Sequence, residues 1–220
     1  MKIMQSKFSS WTFLFQWVLA YIVGWMAFGG FKVGFAALSW SVLDSATDRI
    51  GTAIWSVAVS WIIGGVVIGI AQWLILRRIT KGASWWALVS LLGWTIGGAI
   101  NAVVMGAVGG SIMGRIVGFS MSGFVIGITQ WLILRRLTRR AGWWILTNIV
   151  SWVIGGLVSE IMAWAGNWIV RWIVGGTIDI IFRGSASVVG NAVGNTVEGT
   201  IIGILTGGTL VWLLKNNWIT

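Results

Sequence analysis

Apolar segments recur along the whole chain, and short polar or basic stretches separate them. Each segment has about 20 residues, the length that an α-helix needs to cross the hydrocarbon core of a bilayer. The pattern therefore predicts an all-α integral membrane protein with about six transmembrane helices. The expected spans are residues 11–30, 53–76, 85–105, 112–134, 143–164 and 196–214.

One part of this pattern occurs twice. The stretch GVVIGIAQWLILRRITKGASWWALVSLLGWTIGG begins at Gly65, and GFVIGITQWLILRRLTRRAGWWILTNIVSWVIGG begins at Gly123. The copies are 58 residues apart and identical at 21 of 34 positions, and each leads from one apolar segment through a basic turn into the next. Such duplication predicts a helical hairpin that buries its face against neighbouring copies.

A weaker third copy is indicated by a tryptophan and glycine spacing that opens the odd-numbered spans. In the last span, Gly208 and Trp212 loosely match Gly69 and Trp73, so Val211 stands where the two copies have glutamine. We therefore expect a single membrane domain over residues 1–220, made of three repeated hairpins at approximately 11–80, 84–140 and 143–220 with glycine-rich packing. The shared spacing joins Trp17, Gly24 and Trp25 to Trp86, Gly93 and Trp94, and to Trp144, Ser151 and Trp152.

Composition argues against a soluble protein and against most catalytic chemistry. Of the 220 residues, 57% are hydrophobic and only 9% are charged, too few to cover a water-exposed surface. Cysteine and histidine are absent, which removes thiolate and imidazole metal ligands, nucleophilic thiols and the commonest general base. Nucleotide-binding, phosphate-binding and hydrolase motifs are also absent. The sequence predicts no enzyme activity, no metal and no cofactor, while contacts with lipid or pigment stay open.

The basic residues are concentrated on one side of the six-span arrangement. That side carries ten positive charges and no acids, whereas the remaining charges sum to zero. The positive-inside rule makes this side cytoplasmic and places both termini there. Because the charges lie in short turns between spans, they do not indicate a nucleic-acid-binding surface. The basic turns comprise Arg77, Arg78 and Lys81 in the first copy and Arg135, Arg136, Arg139 and Arg140 in the second.

Two connections on the opposite side interrupt the apolar pattern. Residues 39–50 combine acids with serine and threonine and predict a polar turn. Residues 167–183 are mostly apolar, and in a helix their three charged side chains would lie on one side. The segment is therefore expected to lie along the outer surface or to re-enter the membrane. A full crossing would move the C-terminus and break the charge rule.

The repeated GxxxGxxQWLxLRR motif places small and polar residues on one helical face. Small residues four apart let membrane helices approach closely, and a glutamine amide in lipid needs a partner across the contact. We therefore expect this face to pack against another helix; the alternative is that the glutamines line a polar path gated by the arginine pairs. The motif residues are Gly65, Gly69 and Gln72 in the first copy and Gly123, Gly127 and Gln130 in the second.

Lys32, Arg115, Glu160 and Glu198 form a candidate charge cluster near the opposite boundary. Counted from the basic side at about 1.5 Å per residue, the last three lie about 24 to 30 Å deep. They are interpreted as structural partners that also reach the headgroups. The alternative is a polar vestibule for an ion or a small solute.

Tryptophan accounts for 19 residues, concentrated near the expected interfaces where indole rings prefer to lie. The aromatic belt on the basic side is assigned Trp11, Trp73, Trp85, Trp86, Trp131, Trp143, Trp144, Trp212 and Trp218, and the belt on the opposite side Trp40, Trp164, Trp168 and Trp172. Contact of some rings with pigments, quinones or lipid tails is the alternative interpretation.

The combination GITQWLILRR, then AGWW, then GW or SW followed by GG resembles a poorly characterised group of Trp- and Gly-rich repeat membrane proteins frequent in cyanobacteria. The resemblance is strongest at residues 65–98 and 123–156, and Ser151 departs from the glycine of the other copies. It implies a bacterial inner membrane or a thylakoid membrane and no established activity.

Two functional hypotheses follow from these patterns. The first is a non-catalytic protein of helix–helix assembly, either a homo-oligomer or an accessory subunit of a larger membrane complex, for example a photosynthetic one. The second is a small channel or transporter whose mouth is the outer charge cluster.

Overall fold

The computed structural model describes residues 9–42, 46–108, 111–181 and 185–216, with side-chain environments for 9–34, 56–80, 83–108, 111–173 and 188–215. Every regular element in these residues is helical apart from one isolated bridge residue at Thr138. We number the helices in chain order and place a short 3₁₀ helix, Lys81–Trp85, before the third of them. The helices are α1 Ser10–Val42, α2 Ala46–Leu76, α3 Trp86–Val108, α4 Ile112–Leu134, α5 Gly142–Ile181 and α6 Ser185–Asn216.

The helical membrane class expected from the sequence is confirmed. Within the described residues, six helices are long and apolar enough to cross a membrane. Their outward faces carry large apolar side chains at every third or fourth position, such as Leu88, Leu92 and Ile96 on α3. Lipid is the solvent that such a surface requires.

The six helices pack as a closed ring. Each helix packs on its neighbours in the chain, and α6 closes the ring by packing on α1. In the described residues, the backbones of helices that are not neighbours in this ring do not approach one another. Odd-numbered and even-numbered helices therefore alternate around a common axis, and only side chains can fill the middle.

Helix lengths differ from the expected spans on the side opposite the basic turns. The helix α5 has 40 residues, and at 1.5 Å per residue it is about 60 Å long. By contrast, α3 and α4 have 23 residues each, or about 34 Å. We call the part of α5 from residue 164 onward the α5 extension, because it runs past the ends of α3 and α4.

The α5 extension corrects the expectation for residues 167–183. These residues, as far as Ile181, continue α5 without a break rather than lying as a separate surface helix or a re-entrant segment. The polar turn expected at 39–50 is also shorter than expected, because α1 continues to Val42 and α2 begins at Ala46. Its Asp44 lies outside the described residues. At the α3–α4 link, the Ser111 hydroxyl caps α4 by accepting a hydrogen bond from the Gly114 N–H at 3.1 Å.

Candidate functional site

The glycine motif lies at close contacts between neighbouring helices. Gly69 on α2 packs against the backbone of Ala87 and the side chain of Ser90 on α3. Gly127, its counterpart on α4, packs against Ile145 and Asn148 on α5. A methyl group at either glycine would lie 3.0 Å from a backbone atom of the facing helix. The missing side chains therefore set the distance between the helices.

Both motif glutamines are buried and accept a hydrogen bond from a tryptophan that is also buried. The Trp86 indole N–H donates to Gln72 Oε1 at 3.0 Å, and the Trp144 indole N–H donates to Gln130 Oε1 at 3.1 Å. Gln130 also reaches back, donating from Nε2 to the Ser90 hydroxyl at 2.9 Å. Each bond joins two helices across their contact.

The last hairpin places Thr206 where the other hairpins have glutamine. The Trp17 indole N–H donates to Thr206 Oγ1 at 3.1 Å, across the contact between α1 and α6 that closes the ring. Gly199 and Gly203 precede this threonine at the spacing of Gly65 and Gly69, and they pack on α1. The sequence match through Gly208 and Val211 was therefore wrong by five residues. The stretch GTIIGILT from Gly199, beside GVVIGIAQ from Gly65, carries the correct register.

The three tryptophans that donate these bonds meet in the middle of the ring. Trp17, Trp86 and Trp144 come from α1, α3 and α5, whose backbones do not touch. Their ring centroids are 6.0 to 6.2 Å apart in edge-on contact. We call this group the first tryptophan layer. It closes the axis near the basic end.

A second tryptophan layer lies eight residues further along the same helices. Trp25, Trp94 and Trp152 have ring centroids 5.2 to 5.6 Å apart. Trp61 from α2 joins them and stacks on Trp152 at 5.7 Å. Unlike those of the first layer, the indole nitrogens of Trp25, Trp94 and Trp152 have no hydrogen-bond partner in the described residues.

These layers correct the interpretation of two tryptophans as parts of an aromatic belt. Trp86 and Trp144 are fully buried, whereas their neighbours Trp85 and Trp143 are 63% and 56% exposed. Each WW pair therefore supplies one ring to the core and one to the surface. Trp164 and Trp168 do lie on the surface at the opposite end, where Trp172 continues the same exposed stripe.

Two of the four residues of the outer charge cluster form an ion pair, and the other two lie on α6 and α1. Arg115 on α4 forms an ion pair with Glu160 on α5, and both side chains are partly exposed. Glu198 on α6 is only 5% exposed, accepts a hydrogen bond from the Ser159 hydroxyl at 3.1 Å and lies within the electrostatic reach of Lys32 on α1. Ser159 precedes Glu160 in the chain, so α5 connects the ion pair with Glu198. The involvement of Ser159 was not foreseen from the sequence.

The arginines of the basic turns are exposed at one end of the bundle. Arg77 lies over the ring of Trp73, Arg135 over Trp131 and Arg140 over Trp212, at 4.9, 5.1 and 5.9 Å from the ring centroids. Beneath them, Ala83, Thr138 and Ala141 are buried and close the end of the bundle. The arginines therefore belong to the perimeter and not to the axis.

The described residues hold no group of His, Asp or Glu side chains that could ligate a metal ion. Comparison with protein-family models, with curated proteins and with solved structures finds no match for the chain.

Proposed function

We propose that this protein is a non-catalytic subunit of a membrane assembly, either self-associating or accessory to a larger complex, in a bacterial inner membrane or a thylakoid membrane. Its basic end faces the cytoplasm in this proposal, with both termini on that side, as the charge asymmetry favours. Its partners are the bilayer and other membrane chains.

One observation carries the proposal: the tryptophans are divided between a filled core and an exposed stripe. The tryptophan rings of the two layers contact one another along the axis of the ring of helices, where a channel would need an open lumen. Trp164, Trp168 and Trp172 are 66%, 60% and 78% exposed on the α5 extension. Exposed tryptophans four residues apart on one helix form a surface typical of a protein contact.

The position of the stripe along α5 supports a protein partner. Trp172 lies 30 residues beyond the start of α5, or about 45 Å from it, whereas the hydrocarbon core is about 30 Å thick. Lipid tails do not reach that level in an untilted helix. A neighbouring chain can cover the stripe there.

The test compares complexes extracted in native nanodiscs, so that the bilayer around the protein is retained. The wild type should be found in particles that contain more than one protein chain. Trp168→Ala with Trp172→Ala should release single chains that keep the near-UV circular dichroism of the packed core. The matched control, Trp85→Ala with Trp143→Ala, removes two exposed rings at the basic end and should leave the complex intact. A wild type found only as single chains would contradict the proposal.

A small channel or transporter is the second candidate, favoured by Glu198, which is buried beside Ser159 inside the bundle. Ionisable residues within a membrane span often mark the path of an ion or a proton. In this case, vesicles with purified wild type should pass ions, and Glu198→Gln should change their selectivity without unfolding the protein. Absence of specific flux from folded, inserted protein would exclude it.

A further inference from the structure

The two basic turns have the same backbone conformation. In the first, the Arg77 N–H donates to the Trp73 carbonyl at 2.8 Å and the Thr80 N–H donates to the Leu76 carbonyl at 2.9 Å. In the second, Arg135 and Thr138 donate to Trp131 and Leu134, both at 2.9 Å. Each turn therefore presents its pair of consecutive arginines in the same position relative to its helix. The pairs are Arg77 with Arg78 and Arg135 with Arg136.

A tryptophan ring supports the first arginine of each pair. The guanidinium carbon of Arg77 is 4.9 Å from the ring centroid of Trp73, and that of Arg135 is 5.1 Å from the ring centroid of Trp131. An aromatic ring beneath a guanidinium attracts the cation and restricts its motion. The N–H groups around its edge can still donate in the plane, which is the geometry of bidentate phosphate binding.

No carboxylate of the chain competes for these groups in the described residues. The ion pair formed there, Arg115 with Glu160, belongs to the opposite half of the bundle. The side chains of Arg77, Arg78, Arg135 and Arg136 are exposed. Four cations without acidic partners therefore face the surroundings at the membrane boundary.

The depth of these groups matches the level of lipid phosphates. Trp73 and Trp131 lie in the last turn of α2 and α4, and both rings are partly buried at the end of an apolar span. Tryptophan prefers the boundary between hydrocarbon and headgroup. The arginine that follows one turn later therefore reaches the headgroup layer.

We propose that each basic turn binds the phosphate of an anionic lipid headgroup, with the paired guanidinium groups as donors and the tryptophan ring as their support. This assignment is independent of the proposed function in assembly. It also goes beyond orientation, because the positive-inside rule requires only positive charge, whereas a planar guanidinium favours a partner, such as a phosphate, that accepts two hydrogen bonds at once.

The experiment measures lipid retention by native mass spectrometry on the purified full chain, titrated with phosphatidylglycerol or phosphatidylcholine. The wild type should retain phosphatidylglycerol preferentially. Arg77→Gln with Arg135→Gln should lower its affinity by about tenfold or more, since each substitution removes a charge-assisted donor. Lys32→Gln, which removes a cation at the opposite end, should leave the affinity for phosphatidylglycerol unchanged. Near-UV circular dichroism confirms that each variant is folded.

Two further arms distinguish the source and the geometry of binding. Arg77→Lys with Arg135→Lys keeps the charge and removes the planar donors, so it should lose part of the affinity; affinity equal to the wild type would overturn the guanidinium assignment. Inorganic phosphate should not displace the lipid at equal concentration, and displacement would assign the site to a soluble phosphate instead. Equal wild-type affinity for both lipids would overturn the proposal.

Discussion

At the residue scale, glycines pack against aromatic rings of neighbouring helices. Gly98 on α3 faces Trp61, and Gly156 on α5 faces Phe119, so that a methyl group at either glycine would overlap the ring. Within each WW pair the two side chains point in different directions, because adjacent positions on a helix are about 100° apart. One ring then enters the core while its neighbour stays at the surface.

Gly123 offers a direct test of close helix contact. A methyl group there would lie 2.7 Å from the Asn148 carbonyl oxygen and 2.9 Å from the Ile149 Cα, both on α5, so the backbone would have to move. Gly123→Ala should therefore lower the free energy of unfolding in micelles by about 1 to 3 kcal/mol. Gly208→Ala, at a helical position with open space around the added methyl, should be neutral or stabilising by up to about 1 kcal/mol. Equal effects of the two substitutions would show that α4 and α5 are not in close contact at Gly123.

At the scale of helices, buried hydrogen bonds connect neighbours at matching positions. The acceptors Gln72, Gln130 and Thr206 lie on α2, α4 and α6, and the tryptophan donors lie on the odd-numbered helices. In lipid, the two apolar faces of adjacent helices have little preference for any register, whereas a polar pair can bond in only one. The pairs therefore fix how each helix sits against the next.

A double-mutant cycle on Trp144 and Gln130 measures this contribution. Trp144→Phe removes the donor, and Gln130→Leu removes the acceptor together with the bond to Ser90. The expected coupling is about 0.6 to 1.7 kcal/mol, the range found for hydrogen bonds between membrane helices. The free energies of unfolding of the four proteins in the cycle are measured by chemical unfolding in micelles. Strict additivity of the two substitutions would mean that the bond does not contribute to stability.

At the scale of the whole molecule, ring closure and charge asymmetry define two different ends. The basic end is closed by the turns and by the first tryptophan layer, and its arginines face outward. The opposite end carries the ion pair of Arg115 with Glu160, the buried Glu198 and the α5 extension. A membrane with a cytoplasmic and an outer face therefore meets two chemically distinct surfaces.

The proposed orientation is tested with single cysteines, since the natural chain has none. Ser84→Cys and Gly142→Cys are exposed positions at the basic end and should react with a membrane-impermeant maleimide only from the cytoplasmic side. Ala107→Cys, exposed at the opposite end of α3, should react only from the other side. Labelling of all three from one side would be incompatible with the hairpin arrangement.

The sequence by itself determined the membrane class and the order of the spans, because apolar length is a local property of the chain. It did not determine which tryptophans are core. In lipid, an outward leucine and an inward tryptophan are both apolar, so the usual periodicity of an amphipathic helix is weak. Only the closed ring decided that Trp86 and Trp144 meet Trp17 on the axis, that Thr206 takes the place of the glutamines, and that Glu198 is buried beside Ser159. Each of these contacts joins residues far apart in the chain, and their rotation and depth are fixed only when all the helices pack together.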